Sequence, residues 1–304
     1  MCRRAEGAAP LDGAAAGNQA PGAVLSQGYT LQRRVAMGAT SEVYDALREA
    51  DGTRVAVKLL RAELCLHAEM VARFLNEART LMELRHPHLV RAFEVGVRPD
   101  GRPFMVLEWL PQDLHAVLRS AGGRLPTTDC ARLVQQLAGA LDHLHRQGFI
   151  HRDLKPANVL MACSEPGRMD ARLTDLGLAK RSSGAATAAA ALAVSTGAQA
   201  RLGTWDSMAP EQWVDSKRVD AKADVYALGV LWFQLLTGRL PFEAGDEKGL
   251  MFQHLLEAPP LALLAASATR SWVGRMLAKK PVERPTLGEL LGAFPNLPDA
   301  GGQG

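Results

Sequence analysis

The sequence predicts an α+β chain of two lobes, a smaller lobe built mostly of strands followed by a larger helical one. Between Tyr29 and about Leu110 the apolar runs are short and β-rich and follow turn pairs: Val55-Ala56-Val57-Lys58-Leu59-Leu60 comes after Asp51-Gly52, and Phe104-Met105-Val106-Leu107 after Asp100-Gly101. From about Asp113 onward helices dominate, with loops between them. Strands first and helices later is the order of an α+β arrangement. At 304 residues, 47% of them hydrophobic, the chain has enough apolar side chains for a core of this size. Residues 1–28 are small, contain two prolines and lack periodicity, which predicts a flexible leader. The ordered domain is expected over 29–294, with an N-terminal lobe at 29–110, a C-terminal lobe at 111–294 and a frayed tail at 295–304.

One helix is predicted over 69–84 in the N-terminal lobe. At about 100° per residue, Met70, Phe74, Leu75, Ala78, Leu81, Met82 and Leu84 share one apolar arc. Glu77 falls inside that arc, while Glu69, Asn76 and Glu83 fall outside it. A carboxylate on a packed face needs a partner, because an unpaired buried charge is costly. Lys58, at the inner end of an otherwise apolar strand, is the candidate partner; a glutamate bending to solvent is the alternative. Strand alternation puts Ala56 and Lys58 on one face, so a small residue sits beside the cation. In the C-terminal lobe, Val225 to Leu236 is apolar nearly all round, as a buried helix should be, with Asp224 as its N-cap and Gly238 as its stop.

Composition narrows the function classes. A net charge of +3 argues against a nucleic-acid footprint. Cys2, Cys65, Cys130 and Cys163 form no C-x-x-C pair, which favours reduced thiols and a cytoplasmic location. The leader lacks the apolar core of a secretory signal, and the longest apolar run is too short to span a bilayer.

Chemistry is concentrated in His151-Arg152-Asp153-Leu154-Lys155-Pro156-Ala157-Asn158. Seventeen residues past Asn158, a second acid opens Asp175-Leu176-Gly177. An acid, a cation and an amide in one short loop, with a further acid downstream, are what phosphoryl transfer from a nucleotide needs: a carboxylate to orient a hydroxyl, a cation for the moving group, and oxygen ligands for Mg²⁺.

This run resembles the catalytic loop of eukaryotic-like serine/threonine protein kinases, and the resemblance extends from about Tyr29 to Phe294. Val55-Ala56-Val57-Lys58 matches the family's V-A-x-K, Met208-Ala209-Pro210-Glu211 the end of its activation segment, and Pro281-Val282-Glu283-Arg284-Pro285 a further landmark; Leu240-Pro241-Phe242 is similar to the bacterial branch. The resemblance implies the two-lobed kinase fold and ATP with Mg²⁺, or Mn²⁺, as cofactors. It implies that Asp153 orients the acceptor hydroxyl, Lys155 neutralises the transferring group, Lys58 binds phosphates under the hold of Glu77, and Thr204 contacts Asp153 and Lys155. Asn158 and Asp175 become the metal ligands. Val35, Gly38, Val43, Ala56, Lys58, Glu108, Leu110 and Leu160 become the nucleotide-binding set. Glu211 is expected to pair with Arg284, and Asp224 to brace the catalytic loop.

The chain departs from the family at three places. Of the glycines in G-x-G-x-x-G only Gly38 remains, with Ala36 and Ser41 in the other positions, which predicts a loop that closes less tightly. Leu176 replaces the usual Phe, and Trp205 and Ser207 alter the surface that receives a peptide. The expected partners are ATP and proteins with Ser or Thr acceptors, with the input coming through a sensor or regulator partner or through the leader. Ser182, Ser183, Thr187, Ser195 and Thr196 lie in an Ala-rich stretch where autophosphorylation is expected, with Arg152, Lys180 and Arg181 to bind the phosphate. Two other readings compete. A nucleotide-binding scaffold without catalysis is favoured by the degraded glycine loop and opposed by the intact Lys58, Glu77, Asp153, Asn158 and Asp175. A small-molecule kinase is opposed by Lys155 and by Ala209-Pro210-Glu211.

Overall fold

The computed structural model describes residues 24–25, 28–176, 180–181, 205–215 and 219–296. Its first part is a six-stranded antiparallel sheet made of β1 (Val24–Leu25), β2 (Tyr29–Met37), β3 (Ser41–Arg48), β4 (Arg54–Leu60), β5 (Ala92–Val97) and β6 (Pro103–Glu108), in the order β1-β2-β3-β4-β6-β5. Period-two alternation gives the sheet two faces. Val55, Val57 and Leu59 pack with Tyr29, Leu31, Tyr44, Ala46, Phe104 and Val106 on one face. Leu60, Met105 and Leu107 join the larger core on the other, and the partly buried Ala56 packs there too. Lys58 pairs across strands with Val43 and Met105, and so stands on this second face, as the alternation predicts.

The leader was expected to run to residue 28, but Val24–Leu25 pair with Thr30 and Tyr29 as a short strand. Two apolar residues ahead of Gly28, which has a positive φ of 84°, can fold back on the next strand, yet they are too few to show a period. Helix α1 covers Ala68–Glu83, one residue earlier at each end than predicted, and buries Phe74, Glu77, Ala78 and Leu81.

The second lobe begins with β7 (Gln112–Asp113) and α2 (Leu114–Ser120), whose first turn is capped by Asp113 accepting from the Ala116 N–H at 2.7 Å. After α3 (Thr127–Arg146) come β8 (Phe149–Ile150), β9 (Val159–Cys163) and β10 (Asp170–Leu173). Strands β10, β9 and β7 form a small sheet at the base of the cleft, and β8 pairs with Lys180–Arg181. Further helices span Pro210–Val214, Lys222–Thr237, Glu247–Leu256, Ser267–Met276 and Leu287–Ala293.

Helix Lys222–Thr237 lies at the centre of this lobe and is buried from Ala223 to Phe233, as its all-round apolarity predicts. Each large apolar side chain buried there contributes about 1.5–3 kcal/mol. Gly229 lets the neighbouring helix come close, because a Cβ at that position would lie 2.8 Å from Met276 Cβ. Gly238 ends the helix in the left-handed region, with φ 73°. The lobes are joined behind α1, where the Val90 N–H donates to the Leu173 carbonyl and the Leu173 N–H to that of His88, each at 2.9 Å. Among the described residues no helix is long and apolar enough to cross a membrane.

Candidate active site

The loop between β8 and β9 is built on one buried acid. Asp224 is fully buried at the start of its helix, and its Oδ2 and Oδ1 accept the N–H groups of His151 and Arg152 at 2.9 and 2.8 Å. His145 Nε2 lies 2.7 Å from Asp224 Oδ2. Burial alone would raise the Asp224 pKa, but the bonds from His145 and the loop outweigh it and hold the carboxyl below its ordinary value. The His151 ring reaches the Thr174 carbonyl at 2.9 Å, so the loop is also tied to the segment that carries Asp175. Arg152 and Asp175 both have positive φ, 68° and 64°. Non-glycine residues adopt this conformation rarely and need surrounding bonds to hold it; for Arg152 these include its N–H to Asp224, its Nη2 to the Val219 carbonyl at 3.1 Å, and its own carbonyl accepting from Gln212 Nε2 at 3.2 Å.

Three of the predicted site residues meet on this frame. Lys155 Nζ lies 3.0 and 2.8 Å from the two Asp153 oxygens. Asn158 Nδ2 donates to Asp153 Oδ2 at 2.9 Å and to its carbonyl at 2.8 Å. Burial raises the Asp153 pKa, and Lys155 opposes the rise without cancelling it. Across the cleft, Lys58 Nζ sits 2.8 Å from Glu77 Oε1 and 2.5 Å from Asp175 Oδ1. The pairing of Lys58 with Glu77 read from strand and helix periodicity is therefore present. Burial would lower the Lys58 pKa, but the two carboxylates overcome it and raise it. Burial raises Glu77 despite Lys58, while the same ammonium draws Asp175 below its ordinary value.

The donor set suits a hard cation that is shared with a ligand. Asn158 gives its amide hydrogens to Asp153, which leaves its oxygen as the atom able to bind a metal, and Asp175 supplies a carboxylate from the facing segment. Among the described residues, no group of three or more His, Cys, Asp or Glu side chains could hold an ion without help. One amide oxygen and one carboxylate fit an ion of the Mg²⁺ type, which takes few protein ligands and completes its shell with phosphate oxygens and water.

The apolar walls follow. Ala56, Leu110 and Leu160 are partly buried against the larger core. Val43 stands across from Lys58, whereas Val35 is 37% exposed and Gly38 is exposed at the turn between β2 and β3. The Glu108 side chain turns elsewhere, accepting the Arg91 N–H at 2.8 Å. Thr204 and the expected phosphorylation sites between Ser182 and Thr196 lie outside the described residues, as do the side chains of Lys180 and Arg181, the expected phosphate ligands.

Below the site, Glu211 and Arg284 form the expected pair, with two contacts of 2.6 and 2.7 Å. Ser207 donates to the Leu154 carbonyl at 2.7 Å, which fixes this departure from the family directly against the catalytic loop. Trp205 packs near Trp213, their ring centroids 6.3 Å apart. Sequence reasoning missed Gln212 and His145. A lone polar residue on an amphipathic helix gives no sign that it faces a buried acid far away in the chain.

A family model described as the protein kinase domain matches residues 29–293. Among curated proteins, the chain is 35% identical to serine/threonine-protein kinase Pkn1 of Myxococcus xanthus over 260 residues, covering 84% of this chain and 36% of that protein. It is 36% identical to pkn2 of the same organism over 270 residues, with 86% and 31% covered. To PkaA of Streptomyces coelicolor it is 34% identical over 272 residues, with 85% and 48% covered. The chain thus spans about a third to a half of the length of these relatives. Members of the matched family use ATP and a divalent metal ion. With the catalytic loop, the Lys58–Glu77 pair and the Glu211–Arg284 pair all in place, this chain belongs to the protein kinase domain family.

Proposed function

We propose that this chain transfers the γ-phosphoryl group of ATP to serine and threonine hydroxyls of proteins, itself included, with Mg²⁺ as the ion and Mn²⁺ as its substitute. The observation that carries this reading is the convergence on one cleft of Asp153, held by Lys155 and Asn158, with Lys58, held by Glu77 and Asp175. Bound ATP supplies the phosphoryl donor, and the ion screens charge on its phosphates. Asp153 orients the acceptor hydroxyl and receives its proton; burial raises its proton affinity, which suits that task. Lys155, beside both Asp153 oxygens, is placed to neutralise charge on the moving group. Glu77 keeps Lys58 extended towards the cleft, and Asn158 and Asp175 hold the ion. Val35, Gly38, Val43, Ala56, Leu110, Leu160 and the Glu108 backbone line the nucleotide's place, and Thr204 steadies Asp153 and Lys155.

The domain is proposed to occupy 29–294, to work in the cytoplasm, and to receive its input from a regulator partner or through phosphorylation between Ser182 and Thr196. Acceptor class follows from reach. A Ser or Thr side chain keeps its oxygen near the backbone, whereas a Tyr ring carries it several ångströms further, and a misplacement of ~1 Å can cost ~100-fold. The test is to incubate the purified chain with magnesium, labelled ATP and a generic basic protein, then identify the phosphoamino acids. Phosphoserine and phosphothreonine are expected. Predominant phosphotyrosine would overturn the acceptor class, and absence of any incorporated label would overturn the activity.

A further inference from the structure

The turn between β2 and β3 has lost two of the three glycines expected of a phosphate-covering loop, and the structure shows what holds it instead. Within the turn, the Gly38 N–H donates to the Ser41 carbonyl at 2.8 Å. From the end of β4, the Arg61 N–H donates to the Thr40 carbonyl at 3.0 Å, and Arg61 Nη1 reaches the Gly38 carbonyl at 3.3 Å. The guanidinium is itself aimed by Glu63, whose Oε1 lies 2.7 Å from Arg61 Nε. Beneath the turn, Glu42 is buried and accepts from Arg102 Nη2 at 2.8 Å, Arg34 Nη1 at 3.2 Å and the Tyr44 hydroxyl at 3.4 Å. Arg102 Nε also donates to the Leu60 carbonyl at 3.0 Å. The strand end Leu60–Arg61 is therefore gripped by one buried arginine and in turn grips the loop with another.

This arrangement has a directional consequence. In a trans peptide unit the carbonyl and the following N–H point to opposite sides. Carbonyls of Gly38 and Thr40 drawn towards Arg61 set the Ala39 and Ser41 N–H groups on the side away from it. Backbone N–H groups in a turn are the donors that a phosphate meets. Fixing them before binding removes part of the ordering cost that binding would otherwise carry.

We propose that Arg61 is a positioning residue of the nucleotide loop, pre-setting the 38–41 turn in place of the missing glycines, with Glu63 aiming it and the Glu42–Arg102 pair as its footing. This rests on the reading of the cleft as a nucleotide site. The test compares the wild-type chain with Arg61→Ala and Arg61→Lys, by hydrogen exchange of the 38–41 amides without nucleotide and by titration with a methylanthraniloyl-labelled ATP in magnesium chloride. Arg61 is only partly buried, so both variants should keep the wild-type Tm. Arg61→Ala is expected to speed exchange and to weaken binding, each about fivefold, the scale of one partly solvated hydrogen bond to a charged group. Arg61→Lys retains a single donor and should recover part of the loss. Wild-type binding with an unchanged Kd in Arg61→Ala overturns this inference alone, whether or not exchange is faster. A wild-type chain that does not bind the probe overturns the nucleotide reading, and this inference with it.

Discussion

In the catalytic loop a fully buried carboxylate, Asp224, takes two consecutive main-chain N–H groups from below, and no solvent competes for them. At the nucleotide loop the turn is held from the side, by a partly exposed arginine that also has an exposed glutamate as partner. Charge-assisted bonds in a buried site are worth more than the same bonds at the surface, where water and salt compete. One loop is therefore fixed, while the other is pre-set yet adjustable. The proposed transfer would use this division, since an acceptor hydroxyl tolerates little misplacement while a nucleotide must enter and leave.

If that contrast is right, the largest effect should come from the fixed loop. Asp153→Asn should lower kcat by about 10³-fold, within the range for a lost general base, with little change in Tm. Wild-type turnover in this variant would break the comparison at its stronger end. The wild-type pH profile bears on the same point. In the proposed role Asp153 acts deprotonated, and its pKa is raised, so activity should fall on acidification at a higher pH than an ordinary aspartate would give.

A smaller effect is expected beside the catalytic loop, at Asp206. Burial, with Glu243 adding repulsion, raises the Asp206 pKa to about 6. A carboxyl whose folded pKa is raised favours folding fully only below its unfolded value, about 3.9, and that contribution is lost as the pH rises through about 6. At neutral pH the charge is a burden, softened by partial exposure. Asp206→Asn should therefore raise Tm by a few degrees at pH 7.5 and by nothing at pH 4, as read by calorimetry. An equal gain at both pH values would mean that packing, not charge, is responsible.

The smallest effect belongs to the adjustable loop. Ser41 pairs with Leu60 and stands on the same sheet face as Lys58, so its side chain faces the cleft. Ser41→Gly should lower the KM for ATP by about twofold, since it removes a side chain from the proposed nucleotide site and leaves Arg61 in place. A raised KM would show that strand order at residue 41 matters more than the room it occupies.

Legibility in the sequence followed the same division. The catalytic loop could be read because its acid, cation and amide are neighbours in the chain, and Lys58 and Glu77 because each sits on a periodic element whose pattern it interrupts. The Glu42–Arg102 pair could not be read, since its members are sixty positions apart. Neither breaks a pattern that would mark it as buried. Asp224 was expected as an N-cap, but it lies inside the first turn of a helix whose N-cap is Ala221, and its carboxylate is turned to the loop it braces; its link to His145 was not legible, because a histidine near a helix end has no distinguishing neighbours. The substitutions at residues 36 and 41 suggested a looser loop. The bond from Arg61 to the Gly38 carbonyl is a feature of that turn that local propensity cannot express.

The paired bonds joining His88, Val90 and Leu173 lie just beyond the end of α1 and two residues before Asp175. They tie the first lobe to the strand that leads into Asp175, and the Thr174 N–H, donating to the Asn158 carbonyl at 3.0 Å, ties the same segment to the loop of the second lobe. The carboxylate that faces Lys58 is thus carried on a stretch of chain fastened to both lobes at once.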